Sequence, residues 1–189
     1  MLMVNWIELN IDYMKIAIMQ PTYFPWAGYF SLINSVDKFV FLDNVQFDRR
    51  SWQQRNQIAN GNKKLWITVP VKKKNLFNQK ISEVMIEDNK FKKKHLKSIY
   101  YSYIKTKYFS AIFPKIEEIL IEDIMNLSQL NKIIILKICK MLNLRTEFIN
   151  AQDLKSTGKK KELLSNMDNV FDLGTVTLLG DSYLAPTDH

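Results

Sequence analysis

Asp43, Arg50, Arg55 and Asn56 stand close together in the chain, and each type suits work on a polar substrate. Asp43 ends an apolar run, Lys38-Phe-Val-Phe-Leu-Asp43, that reads as a strand. A carboxylate just past a parallel strand sits where open α/β sheets bind ligands. There it could act as a base or hold a hydroxyl, an amine or a metal; the plainer alternative is an Asx-turn with Asn44. Three of the four arginines, Arg49, Arg50 and Arg55, crowd around Trp52. Guanidinium forks match phosphate and carboxylate, and an indole can stack on a base or a sugar. A solvated rim with ion pairs to Asp43 and Asp48 would use the same residues structurally.

Upstream, Gln20-Pro-Thr-Tyr-Phe-Pro-Trp26 joins an apolar run, Lys15 to Met19, to a helix expected over Gly28–Val36. The free N–H groups of a helix starting near Trp26 or Ala27 would favour an anion at the loop mouth. Gly28 would let a ligand approach the backbone. Gln20, Tyr23 and Tyr29 are the polar side chains placed to orient a substrate, with Tyr29 a candidate catalytic acid beside Asp43. The loop is loosely similar to that of HxGH-type nucleotidyltransferases, with Tyr29 where those enzymes carry histidine. The competing reading makes the loop's aromatic rings a roof over the core.

These residues need a scaffold. Lys15–Met19, the helix and Lys38–Asp43 form a strand–helix–strand unit, which implies a parallel pair. Arg55–Asn60 and Lys64–Pro70 flank Asn60-Gly61, a hairpin signal, and Ile81–Ile86 could add a short strand. Three helices should follow. The first is capped by Asp88 or Asn89 and buries Phe91, Leu96, Ile99 and Tyr103, leaving Lys90, Lys92, Lys93, Lys94 and Lys97 solvated. The second carries Pro114 in its first turn. The third runs from about Ser128 to Leu142. Arg145–Ile149 reads as a strand, and Ser156-Thr-Gly158 as a loop opening a basic helix that could hold phosphate or simply be solvated. The fold class is α/β: a small parallel sheet core, an antiparallel hairpin addition and a helical block.

With 189 residues, 47% of them hydrophobic, the chain can bury one core. Residues 1–13 read as an N-terminal extension and 14–189 as a single domain. No secretory leader or membrane span is visible, so a cytoplasmic setting is expected. The single cysteine, Cys139, fits a buried structural thiol, and two histidines give no zinc pattern. His95 reads as an ordinary histidine. No motif specifies a metal or cofactor. A net charge of +8 favours anionic partners or reflects solvated lysine faces.

The stretch Met14 to Phe30, with Gln20-Pro-Thr-Tyr-Phe-Pro25 and Gly28-Tyr-Phe30, resembles the opening of the WbqC-like family. Val36–Asp43, Val45-Gln-Phe47, Arg50-Ser-Trp52, Arg55-Asn56 and Thr146-Glu-Phe148 continue the resemblance. It covers most of residues 14–165, with a C-terminus that looks shortened. It implies a role in surface-polysaccharide (O-antigen) biosynthesis: a transferase on nucleotide-linked or phosphate-bearing amino-sugar substrates. Acyl or aminoacyl transfer stands ahead of nucleotidyl transfer. The expected partner is therefore an anionic small molecule, a nucleotide or sugar-phosphate. Asp43 and Tyr29 are the catalytic candidates; Gln20, Tyr23, Gly28, Arg50, Trp52, Arg55 and Asn56 are the substrate-binding ones. A basic nucleic-acid-binding module and an inactive truncated paralogue acting as a scaffold are the alternatives.

Overall fold

The computed structural model describes residues 14–72 and 78–154. Ile16–Met19 (β1), Ala27–Asn34 (α1) and Lys38–Phe41 (β2) form the strand–helix–strand unit. Glu147–Asn150 (β5) joins the far edge of β2, giving a three-stranded sheet of order β1-β2-β5. Both pairings are parallel, with Met19 opposite Phe41 and Phe41 opposite Asn150. All three carboxyl ends therefore finish at one edge, where Gln20, Asp43 and Asn150 gather.

Side-chain alternation divides the sheet into two buried faces. Ala17, Phe39, Phe41 and Phe148 pack against Tyr29, Phe30 and Ile33 of α1 and Ile135 and Cys139 of the last helix. Ile16, Ile18, Val40 and Ile149 face the other way, toward Ala151 and Leu154. Burial on both sides explains why β1 and β2 read as continuous apolar runs rather than alternating ones.

The hairpin pairs Arg55–Asn60 (β3) with Lys63–Thr68 (β4) in antiparallel register. Its two-residue loop is Gly61-Asn62, one position later than Asn60-Gly61. Gly61 takes the positive φ of 59°, as a loop with glycine at its first central position requires. Ile81–Ile86 is not a strand. Ile81–Glu83 is a single 3₁₀ turn, and Met85 and Ile86 make only isolated bridges, to Asn126 and Val71. The backbone bonds of this segment go elsewhere: Ser82 N–H donates to the Asp43 carbonyl, and the Glu83 carboxylate accepts from Lys80 N–H.

Lys90–Tyr103 (α2), Phe109–Ile121 (α3) and Leu127–Met141 (α4) complete the helical block. In α2 the buried stripe is Phe91, His95 and Ile99, one residue away from Leu96. Asp88 supplies the capping oxygen, accepting from Lys90 N–H. Lys92 is buried, not solvated, because its ammonium donates to the Glu122 carbonyl just past the end of α3. That places a cation at the negative end of a helix. Burial lowers its pKa, against the opposing pull of Asp123 and Glu122. Pro114 lies inside α3 instead of in its first turn. The helix starts earlier because Phe109 and Phe113 stack on each other and against Tyr100. The carbonyl that Pro114 leaves without a donor belongs to exposed Ser110, where water can serve it.

Asn126 caps α4, its side chain accepting from Gln129 N–H. Leu130 and Ile134 enter the hairpin-side core, while Ile135 and Cys139 enter the sheet-side core. The same helix therefore joins the two halves of the molecule. Among the described residues no helix is long and apolar enough to cross a membrane. The Ser156–Lys161 segment lies outside the described residues.

Candidate functional site at the carboxyl edge of the sheet

A third face of α4, carrying Ser128, Asn131 and Lys132, meets the carboxyl edge of the sheet. Asp43 is only 2% exposed. Its Oδ2 accepts the Ser128 hydroxyl at 2.6 Å and the Lys132 ammonium at 2.7 Å. Lys132 also donates to Asn150 Oδ1 at 2.7 Å and lies over the Phe41 ring. One ammonium thus ties the ends of β2 and β5 to α4. Asp43 Oδ1 is equally buried and has no hydrogen-bond partner among the described residues. A buried carboxylate oxygen without a donor is costly, and a water or a ligand donor would satisfy it.

A row of amides continues the site toward β1. Gln53 Nε2 donates to Gln20 Oε1 at 2.7 Å, and Asp48 N–H donates to Gln53 Oε1. Asn131 Nδ2 donates to the carbonyls of Pro21 and Gln53, while its Oδ1 is buried without a partner among the described residues. The open oxygens of Asp43 and Asn131 are both acceptors. Each suits a donor: a hydroxyl, an amine or an ammonium.

Asn56 works on the same loop. Its amide bonds the carbonyls of Tyr23 and Phe24 at 3.2 and 2.5 Å, and Tyr23 N–H donates to the Trp52 carbonyl. This clamp holds Phe24 at a φ of 46°, a conformation costing about 1 kcal/mol or more for a non-glycine residue.

Tyr23 and Tyr29 are both buried, with their hydroxyls bonded inside the protein. Tyr29 is 1% exposed and its hydroxyl donates to the Gln20 carbonyl. Burial raises its pKa well above the ordinary value, with proximity to Cys139 adding to the rise. Tyr23 is fully buried, its hydroxyl 2.8 Å from His95 Nδ1. Burial raises the phenol and pushes His95 down to about 4, against a smaller opposing contribution from the Thr68 backbone. With the other ring nitrogen of neutral His95 bonded to the Thr68 backbone, Nδ1 accepts a hydrogen bond from the Tyr23 hydroxyl, which keeps its proton. Gly28 serves an internal contact too: a Cβ there would fall 1.9 Å from the Trp26 ring. The indole, and not a ligand, uses the space. Cys139 is buried in the sheet-side core, and burial pushes its thiol up to about 11.

Arg55 belongs to an aromatic cluster of the hairpin. Arg55 stacks its guanidinium 4.1 Å over Trp66, whose ring lies 5.6 Å from Trp52. Arg50 is exposed with a φ of 62°, its N–H bonded to Gln54 Oε1. Among the described residues neither makes an ion pair, so they do not neutralise Asp43 or Asp48. The structure therefore places the partners of Asp43 and Asn131 of the amide row on one helix, α4, and joins Arg55 with Trp52 through Trp66.

Sequence reasoning does not reach Ser128, Asn131, Lys132, Asn150 or Gln53. The three α4 residues follow helical spacing, i, i+3 and i+4, on a side that composition marks as polar surface. Only the tertiary fold turns that side inward.

A model of the WbqC-like protein family matches residues 20–185, most of the chain. The chain belongs to the WbqC-like protein family. A relative in Mycobacterium tuberculosis (strain ATCC 25618 / H37Rv), described as "Uncharacterized protein Rv1507c", is 37% identical over 154 residues. The alignment covers 81% of this WbqC-like chain and 67% of the relative. No solved structure matches it.

Proposed function

We propose that this WbqC-like protein is a cytoplasmic transferase of surface-polysaccharide (O-antigen) biosynthesis. Its substrate would be a nucleotide-linked or phosphate-bearing amino sugar. The observation that carries the reading is Asp43: a buried carboxylate at the carboxyl edge of a parallel sheet, with one oxygen bonded twice and the other open. In acyl or aminoacyl transfer, Oδ1 would accept the proton of a sugar amine or hydroxyl as that group attacks the acyl carbon of an activated donor; the bond from that carbon to its carrier would break, and the departing group would take up a proton. Ser128 and Lys132 would hold the carboxylate in place. Asn131 Oδ1 would take a second donor. The net charge of +8 and exposed Arg50 suit the phosphate portion.

A thermal-shift screen separates the classes, because a ligand held by the native state alone raises the melting temperature. A uridine-diphosphate-linked amino sugar should stabilise the protein more than its neutral-sugar counterpart or the nucleotide alone. Equal responses to all three would remove the role of Asp43. The stack of Arg55, Trp66 and Trp52 favours one other reading, a nucleic-acid-binding surface, since stacked indoles beside cations accept bases. Stabilisation by an oligonucleotide alone, falling steeply with salt, would select it.

A further inference from the structure

A recess of about 270 Å³ opens between the hairpin and the pair α2–α3. Its walls include Ile58 and Ile67 from the hairpin, Ile99 and Tyr103 from α2, and Phe113 and Ile116 from α3. Phe24 adds its ring from the loop that Asn56 clamps. Protein interiors keep few voids larger than a water molecule, because an unfilled wall loses dispersion contacts. This wall is almost wholly apolar, so water fills it poorly.

Among the described residues two polar side chains, Tyr103 and Thr106, line the recess. Thr106 Oγ1 donates to the Tyr103 carbonyl and is thereby used within its own turn. The Tyr103 oxygen accepts from Ala59 N–H at 3.1 Å, which leaves its own O–H proton free to donate. The site thus combines an apolar slot with one hydroxyl donor. We infer that it binds an acyl group: an unbranched aliphatic chain in the recess, with its carbonyl or carboxylate oxygen on the Tyr103 hydroxyl. Size sets the length. An apolar cavity of about 150 Å³ holds benzene, so 270 Å³ holds about ten carbons. A docked peptide helix, about 10 Å across, does not fit.

The recess differs from the Asp43 site in its residues and its chemistry, and its test uses no sugar. Binding of saturated carboxylates from butyrate to tetradecanoate is measured by calorimetry, below their micellar range. Affinity should rise about fourfold per methylene, then level off near ten carbons. A flat series, or one still rising at fourteen carbons, would overturn the assignment. Tyr103→Phe should weaken decanoate several-fold and leave the length limit unchanged; equal affinity in a folded variant would remove the carbonyl contact. Ile116→Trp should shorten the limit by several carbons, and an unchanged limit in that folded variant would also overturn the assignment. If that variant does not fold, the wild-type series decides alone. Tighter binding of decanoyl-coenzyme A than of decanoate would support a carrier-borne chain, and the reverse order a free acid.

Discussion

Ser128 and Lys132, one turn apart on α4, address the same oxygen of Asp43 and leave the other one open. The two partners are not equivalent. Lys132 is 18% exposed in its side chain and can extend toward water, whereas Asp43 is 3% exposed and cannot.

That asymmetry orders two substitutions. Lys132→Met strands a buried carboxylate, and removing one partner of a buried pair costs about 3 kcal/mol. Asp43→Asn leaves Lys132 with Asn150 and a path to solvent, and should cost about 1–2 kcal/mol. Urea denaturation of the two variants checks this order. A larger loss for Asp43→Asn would mean that the carboxylate is hydrated, not enclosed.

His95 predicts a pH dependence of stability. Its folded value, pushed down to about 4, lies below the ordinary 6.5. Below pH 6.5 the unfolded chain binds a proton that the folded one does not, so stability rises with pH across that window. The contribution is fully present above pH 6.5. It is lost as pH falls toward 4, by at most about 3 kcal/mol. His95→Gln keeps an acceptor for Tyr23 and removes the titration. Wild type should therefore lose more stability than this variant between pH 7 and 4.5; parallel melting curves would contradict the burial.

Asn131 bridges two carbonyls that no other side chain among the described residues serves from α4. Asn131→Leu fills similar volume but leaves the Pro21 and Gln53 carbonyls without their donor, at a cost of about 2–3 kcal/mol. The loss should appear as faster hydrogen exchange at Tyr23 and Gln54 as well as a lower melting temperature. An unchanged exchange pattern would mean that the amide row does not hold the loop.

Much of the scaffold was legible in the chain because local chemistry dictates it. Apolar runs gave β1 and β2, the glycine turn gave the hairpin, and helical spacing gave α2 to α4. The misses have specific causes. Ile81–Ile86 has strand-like residues, but its backbone is taken by Asp43 and α4. Lys92 reads as solvated until α3 ends against it. The candidate site was half legible. Asp43 ends an apolar strand and so announces itself, whereas Ser128, Lys132 and Asn150 come from distant segments that only folding brings together. Tyr29 reads as a candidate acid and Tyr23 as a substrate-orienting residue, and residue type does not report that both are buried.

In the proposed function Asp43 Oδ1 receives a donor from the substrate. Calorimetric titration of a uridine-diphosphate-linked amino sugar into wild type and Asp43→Asn tests it most directly, with circular dichroism to verify the variant's fold. The amide keeps the shape but can turn only one oxygen either to its internal partners or to the ligand. Affinity should fall at least tenfold, about 1.4 kcal/mol. Equal affinity in a folded variant, or no binding by wild type, would contradict the account.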